Sequence, residues 1–202
     1  MKLTKYKRGK DIEGGEELFN LFQNPENVKI ENHQFKKITA QNVAYTHETR
    51  KRVNKECMEE FVEDKEYIKI KKNKADNKSQ TILLYENLPI MSFRNIADCE
   101  IYNTELLFIE SINKDEQTFT TRRETILEPL EEMKEYNYVI FNISEFHKFF
   151  RPAYCRTLHS AQGETIKEKY TIYDWNHRRS DDRSKYIALS RGISIHDIQI
   201  VA

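Results

Sequence analysis

The sequence alternates between two kinds of pattern, and this alternation restricts the folds that the chain can adopt. Val43 to Tyr45 form a short apolar run, and Glu48 to Val62 follow with apolar residues at helical spacing. From Ile82 to Ile143 the pattern changes to short β-rich runs separated by Asn, Asp and Glu clusters. Beyond Pro152 strand and helix patterns alternate again. We therefore predict an α/β layer that a β-rich insertion interrupts.

The boundaries of several elements follow from local residue types. A short helix is predicted from Asp11 to Phe22, and a later one after an N-cap at Asp181 or Asp182, ending at Gly192. Pro89 must begin its strand or lie at a sheet edge, because proline cannot donate to a sheet ladder. We expect the middle strands to form a small antiparallel barrel. The predicted strands are Ile82 to Tyr85, Leu88 to Phe93, Leu106 to Ile109, Thr118 to Thr121, Tyr138 to Ile143, Tyr154 to Thr157, Tyr170 to Tyr173 and Asp197 to Val201.

The charge balance excludes bulk attraction to nucleic acid. The 202 residues contain 33 Lys or Arg and 33 Asp or Glu, so any nucleic-acid surface must come from local segregation of charge. Between Arg151 and Gly192 nine basic residues stand against five acidic ones, a local excess of +4. Residues 69–78 combine basic residues with turn-forming residues, and this composition predicts a solvated connection between two modules.

Cysteine usage and hydropathy indicate where the protein resides. Cys57, Cys99 and Cys155 are widely spaced, with no Cys-x-x-Cys pair, so the pattern favours neither a disulfide framework nor a zinc site. The sequence contains no run of about 18 apolar residues and no signal-peptide pattern at its start. We therefore expect an intracellular protein that is not secreted.

The segment Tyr154 to Thr165 holds the side chains best suited to chemistry. It runs from a predicted strand through a polar turn that contains Thr157, His159 and Gly163. Thr and His side chains at a strand end can donate to phosphate oxygens, and a glycine lets the backbone approach a ligand closely. The alternative interpretation is a turn with a satisfied core histidine.

A second segment, Lys185 to Gly192, changes the interpretation of the first. It reads Lys-Tyr-Ile-Ala-Leu-Ser-Arg-Gly and follows the first segment after one predicted strand. Together the two resemble the fifth and sixth conserved motifs of superfamily 1 DNA helicases of the RecD, Dda and UvrD kind. Those motifs read Thr-x-His-x-x-Gln/Lys-Gly and Tyr-Val-Ala-Leu-Thr/Ser-Arg, and their order and spacing agree with this chain.

The resemblance implies an architecture. It implies an α/β fold, a RecA-like second helicase lobe with a small β-barrel-like insertion. On this basis residues 1–70 and 150–202 form the RecA-like lobe 2A, and residues 71–149 form the 2B-like insertion. We expect this lobe to close on a partner lobe around ATP and to shift its grip on single-stranded DNA as it does so.

The resemblance also implies roles at the nucleotide. Arg191 matches the arginine finger, which stabilises charge on the transferring γ-phosphoryl group. Leu3 to Arg8 resembles the fourth motif, Leu-x-x-x-Tyr-Arg, although Lys7 fills the tyrosine position, and Arg8 is its phosphate-directed arginine. Alternatives are an Arg191 that contacts the last carbonyls of its own helix and an Arg8 in a basic terminus. Gln162 is expected to bind at the nucleotide and to couple it to the DNA site, and Gly163, Glu164 or Thr165 is expected near ribose or phosphate.

Contacts to single-stranded DNA are implied at the strand ends. Val43 to His47 resembles a strand that ends in Thr-Asn and touches the DNA backbone in Dda-like enzymes, with His47 where Asn is usual. Thr46, Thr157 and His159 are therefore the expected contacts. In the insertion, Phe93 and Arg94 are candidates for base stacking or phosphate contact, with an ordinary barrel surface as the alternative.

The chain has no Gly-x-x-x-x-Gly-Lys-Ser/Thr loop to hold the β-phosphate. We therefore expect ATP and Mg²⁺ to be bound mainly by an N-terminal RecA-like lobe of the same polypeptide, and this fragment alone to be inactive. The predicted function is the C-terminal part of an ATP-dependent DNA helicase that acts in replication or repair. The Gln-Gly form of the fifth motif favours 5′ to 3′ translocation. A non-catalytic nucleic-acid-binding module and a protein-interaction module are the alternatives.

Overall fold

The structure is a computed structural model that describes residues 11–30, 38–123 and 137–202. The predicted phosphate contact Arg8 lies outside the described residues. The chain divides into two compact units, the first comprising Met1–Val53 and Cys155–Ala202 and the second Asn54–Tyr154. The domain boundaries expected from the sequence, near residues 70 and 150, remain a prediction.

The described α-helices and strands alternate at both ends of the chain and are mainly strands in the middle. In chain order they are α1 (Gly15–Gln23), β1 (Gln41–Ala44), α2 (His47–Val62), β2 (Ile68–Ile70), β3 (Ile82–Leu84), β4 (Pro89–Ser92), β5 (Leu106–Asn113), β6 (Thr118–Arg123), β7 (Tyr138–Asn142), α3 (Phe146–Phe149), β8 (Phe150–Pro152), β9 (Cys155–Thr157), β10 (Tyr170–Tyr173), α4 (Asp182–Leu189) and β11 (Ile198–Ile200).

The first unit is built on a four-stranded sheet in the order β11-β10-β1-β9, and all three pairings are parallel. Parallel strands end at the same edge of a sheet, so the loops after β1, β9 and β10 emerge together. Helices α1 and α4 pack on the sheet through Leu18, Phe22 and Leu189, which are buried with Ile172 and Ile198. This apolar layer holds the strand ends in place.

Helix α1 begins later than its sequence pattern predicts. The sequence pattern predicts a start at Asp11. However, Gly14 adopts a left-handed conformation with φ +74°, and the helix begins at Gly15. A Cβ at Gly14 would lie 2.8 Å from the His196 ring and 2.9 Å from the Ser194 hydroxyl. The position therefore requires glycine both for its backbone angle and for space.

Helix α4 confirms its predicted N-cap and corrects its predicted end. The Asp181 carboxylate accepts a hydrogen bond of 2.8 Å from the Ser184 backbone N–H. The helix ends at Leu189, before Gly192. Gly192 is not in the left-handed region, and a Cβ there would lie 3.0 Å from the Tyr170 ring. The glycine therefore allows close packing against β10 and does not act as a left-handed helix stop.

The second unit contains the β-rich insertion. Five antiparallel strands pair in the order β7-β6-β5-β4-β8, and β2 and β3 form a separate antiparallel pair. Pro89 begins β4, as its lack of an N–H predicts. The core includes a cluster of aromatic rings from Phe119, Phe141, Phe146 and Phe150. In the described part of the chain the edge strands β7 and β8 do not pair with each other, so barrel closure remains a prediction.

The three cysteines are free thiols, and Cys57 and Cys155 are buried. Within the described ranges, no helix is both long enough and apolar enough to cross a membrane.

Candidate nucleic-acid and nucleotide site

The carboxyl edge of the parallel sheet brings together residues that are far apart in the chain. Thr46 follows β1, Thr157 is the last residue of β9, and Asp174 follows β10. Because β1 pairs with both β9 and β10, these three positions lie on neighbouring strand ends. Two of the three predicted DNA contacts on this unit are thereby placed at one edge, and the third, His159, lies in the turn after β9.

Asp174 organises the end of β1, and sequence reasoning did not identify it. One carboxylate oxygen accepts from the backbone N–H and the hydroxyl of Thr46, at 2.9 and 3.1 Å. The other accepts from the Thr49 hydroxyl at 2.6 Å. The Thr46 hydroxyl in turn accepts from the Thr49 N–H at 3.1 Å, which caps α2. An acid directly after a buried strand was the available sequence signal.

The turn after β9 is tied to the sheet and leaves His159 exposed. The Leu158 N–H donates to the Ala44 carbonyl at 3.1 Å, so the turn is fixed to β1. The Thr157 hydroxyl lies 3.0 Å from that of Ser160, and the Ser160 hydroxyl donates to the Thr157 carbonyl at 2.9 Å. His159 is exposed and is not a buried core histidine.

Gly163 lies in an open part of the same turn. Its φ of +99° favours glycine, and no heavy atom other than those of its two chain neighbours lies within 4 Å of the place where a Cβ would be. Gln162 and Thr165 are also exposed. The open backbone at Gly163 leaves space for a ligand group to approach closely.

Glu164 is half-buried and pairs with a buried arginine. The Arg156 guanidinium forms a short ion pair with the Glu164 carboxylate, and only 4% of the Arg156 side chain is exposed. Arg156 lies on β9, so the ion pair fixes the turn to the strand that precedes it. Sequence reasoning missed Arg156, although its position within the first motif segment was visible.

Arg191 joins the two motif segments. Its Nη1 donates to the Glu164 and Ala161 carbonyls at 2.8 and 3.4 Å, and its Nε donates to the Ile187 carbonyl at 3.1 Å. The Ser190 hydroxyl accepts from Nη2 at 2.9 Å, and the residue is 8% exposed. The guanidinium thus contacts a carbonyl of its own helix, as the alternative interpretation expects, and also the turn that contains Gly163.

Several basic side chains lie on the first unit, after β10. Arg178 and Arg179 are exposed in the segment between β10 and α4, and Arg183 is exposed in the first turn of α4. The Lys185 ammonium lies 5.3 Å from the centre of the buried Trp175 ring. Hydrogen bonds from the Ser184 side chain and backbone hold the pKa of Asp181 below its ordinary value, so the N-cap of α4 stays charged.

The remaining predicted contacts belong to the second unit. Phe93 follows β4, and the Arg94 guanidinium lies 5.5 Å from the centre of its ring. The Arg151 guanidinium lies closer, at 4.2 Å. Arg94 is exposed, whereas Phe93 is half-buried. Their assignment to DNA binding remains a prediction.

Solved structures share this fold. A chain from a structure of two coordinating Pif1 helicases at forked double-stranded DNA matches with TM-score 0.68 and 18% identity. The match covers 98% of this chain and 48% of that chain. Bacteroides Pif1 bound to single-stranded DNA matches with TM-score 0.65 and 18% identity over 98% and 50% of the two chains. Candida albicans Pif1 matches with TM-score 0.59 and 12% identity over 98% and 55%.

The chain has the fold of a Pif1 helicase lobe. No protein-family model and no curated protein matches the sequence. The structural matches are to Pif1 helicases, and the chain spans about half the length of each. At these identities the likeness establishes the fold alone.

Proposed function

We propose that this chain is the C-terminal part of an ATP-dependent superfamily 1 DNA helicase, where it supplies an arginine finger and contacts to single-stranded DNA. The observation that supports the proposal is the direct bonding of Arg191 to the turn that contains Gly163, within a Pif1-type fold.

Single-stranded DNA would lie along the carboxyl edge of the parallel sheet. The exposed His159 imidazole offers an N–H to a phosphate oxygen. Thr46 and Thr157 offer hydroxyl groups whose positions are fixed by Asp174 and Ser160. A DNA strand bound here would contact the ends of several neighbouring β-strands. Small movements of the lobe would therefore change the contacts between these β-strand ends and the DNA backbone.

The nucleotide would be shared with an N-terminal RecA-like lobe of the same polypeptide. That lobe would hold most of ATP and its Mg²⁺, and the metal neutralises charge on the phosphates during transfer. Gln162, Gly163, Glu164 and Thr165 would approach the ribose and phosphates through the open turn, and Gly163 has the space to do so. Arg8 would add a second positive charge at the γ-phosphate.

Arg191 must exchange its present acceptors to act as a finger. The guanidinium would give up the carbonyl oxygens of Ala161 and Glu164 for phosphate oxygens. Those carbonyls belong to the turn that follows Thr157 and His159. Release of Arg191 therefore changes the bonding of the same turn that would hold the DNA strand, which couples the two sites.

A non-catalytic nucleic-acid-binding module is the second candidate. The burial of Arg191 is the observation on its side, because the residue is 8% exposed and each guanidinium nitrogen already has an acceptor within the chain. In that case Arg191 serves only to connect α4 to the turn, and the sheet edge binds DNA without ATP hydrolysis.

Binding to a labelled single-stranded oligonucleotide tests the DNA site in the chain itself. The double variant T157V/H159A should weaken binding by about tenfold or more, since one hydrogen bond to a charged group contributes about 1.5–3 kcal/mol. The control is T120V/H196A, which changes a threonine on β6 and an exposed histidine outside the proposed site. Equal affinity of both variants and the unmodified chain would contradict the site.

ATP hydrolysis separates the two candidates. The polypeptide that joins this chain to its phosphate-binding lobe should hydrolyse ATP faster when single-stranded DNA is added. DNA binding without any ATP hydrolysis by that polypeptide would favour the non-catalytic module.

A further inference from the structure

A second basic surface lies on the other unit, in the connection between β2 and β3. Residues 71–78, the lysine loop, contain four lysines and one acid and are exposed except at Asp76. Lys71, Lys72 and Lys74 form no ion pair with any residue in the described ranges. In a chain of zero net charge, this is a local concentration of positive charge that the proposed function does not use.

The lysine loop has a defined conformation. The side chains of Asn73 and Asp76 each accept a hydrogen bond from the backbone N–H two residues further on. The Ser79 hydroxyl accepts from the Asn73 N–H at 3.0 Å and lies 3.2 Å from Nδ1 of His147. Nε2 of His147 contacts the Lys71 carbonyl at 2.9 Å. The lysines therefore project from a loop that is already ordered, which lowers the entropy cost of binding.

The acid in the loop is neutralised from within. The Asp76 carboxylate forms an ion pair of 3.2 Å with Arg151. Burial raises the pKa of Asp76, but the hydrogen bond from the Lys78 N–H and the Arg151 charge outweigh it and hold the pKa below its ordinary value. Because Asp76 is compensated by Arg151, it does not offset the lysines.

Arg151 connects the loop to Arg94. Its guanidinium pairs with Asp76 and also lies 4.2 Å from the Phe93 ring, over which Arg94 extends as well. Arg94 is exposed and is next to this stack. Arg151 therefore links the lysine loop to Arg94 on the second unit, and the two together are called the basic patch.

We propose that this patch, the lysine loop with Arg94, is a second nucleic-acid contact that binds the sugar-phosphate backbone without reading sequence. Lysine ammonium groups are point charges that neutralise phosphates, and such contacts release counterions. The choice of nucleic acid over another polyanion rests on the proposed helicase function. Several exposed lysines on one loop can contact several phosphates of the same polymer.

Salt-dependent binding of the whole chain tests the proposal. The triple variant K71Q/K72Q/K74Q is compared with K29Q/K55Q/K114Q, which removes the same charge from exposed lysines elsewhere. Fluorescence anisotropy with a labelled single strand and a duplex of equal length gives the affinity from about 50 to 200 mM salt. The slope of log K against log salt should become shallower by about one for each lysine lost in the loop, with at least one of the two DNA forms.

The outcomes distinguish this proposal from the helicase function. Equal slopes for the two triple variants overturn the patch, even when T157V/H159A still weakens binding. A shallower slope only in the lysine-loop variant supports the patch, even when T157V/H159A has no effect. Polyglutamate that displaces DNA from the chain as effectively as unlabelled DNA overturns the assignment to nucleic acid and favours an acidic protein surface.

Discussion

Replacement of Arg191 by alanine has two separable consequences. The substitution removes hydrogen bonds to the carbonyls of Ile187, Ala161 and Glu164 and to the Ser190 hydroxyl. It also removes the positive charge proposed to reach the γ-phosphate. The first effect lowers stability in any interpretation of the site, whereas the second affects only ATP hydrolysis.

The stability cost follows from what remains behind. Residue 191 is 8% exposed, so water reaches its acceptors poorly after truncation. An unsatisfied buried polar group costs about 1–3 kcal/mol, and a few such groups together with lost packing bring the expected loss to about 2–4 kcal/mol. For a chain of this size that corresponds to a melting temperature lower by roughly 4–16 °C. Thermal unfolding followed by circular dichroism measures it.

The catalytic cost is larger and has a different signature. An arginine finger contributes roughly 10³ to 10⁵ in rate, so R191A in the ATP-hydrolysing polypeptide should lose nearly all ATPase activity. Single-strand affinity should change little at a temperature where the variant is folded. R191K keeps the charge but cannot reach several acceptors at once, so it should recover only a part of the activity.

Tyr170 provides a matched control at the same end of α4. Its hydroxyl donates to the Ala188 and Leu189 carbonyls at 2.8 and 3.3 Å. Y170F removes these bonds without changing charge and should cost about 1 kcal/mol while sparing ATP hydrolysis. The finger assignment is wrong if R191A retains ATPase within tenfold of the unmodified enzyme, or if DNA affinity falls as far as the rate.

Two further predictions concern the supports of the two proposed surfaces. D174N removes the charge that holds the Thr46 and Thr49 hydroxyls. Chemical denaturation should show a free energy of unfolding lower by about 1–2 kcal/mol, and single-strand binding should weaken. An unchanged free energy of unfolding and an unchanged affinity would show that this network is not needed. Burial lowers the pKa of His147 below its ordinary value of about 6.5, so the unfolded chain binds the proton more readily. Stability should therefore fall as the pH decreases below about 6.5 and level off beneath the folded pKa. Denaturation of the chain and of H147Q across this range should show the dependence only with histidine, and a persistent dependence in H147Q would assign it to another group.

Local patterns predicted the elements well where the signal lay within a few residues. The strand that feeds α2 occurs as predicted, the N-cap of α4 is the first of its two candidates, Asp181, and Pro89 begins β4 and does not lie at an edge. The predicted end of α4 at Gly192 is wrong, because glycine is required there by its close packing against Tyr170 and not by its backbone angle. That contact joins residues outside the local window.

The sequence by itself determined the α/β pattern, the β-rich middle and the two motif segments, because these depend on periodicity and on short runs of residue types. Only the tertiary structure decided which side chains meet. Asp174 contacts Thr46 across a separation of 128 residues, and Arg151 pairs with Asp76 across 75. The sequence around each of these residues does not identify its partner, since both pairings depend on strand order and loop closure. The bonding of Arg191 to the Gly163 turn belongs to the same class of long-range contact.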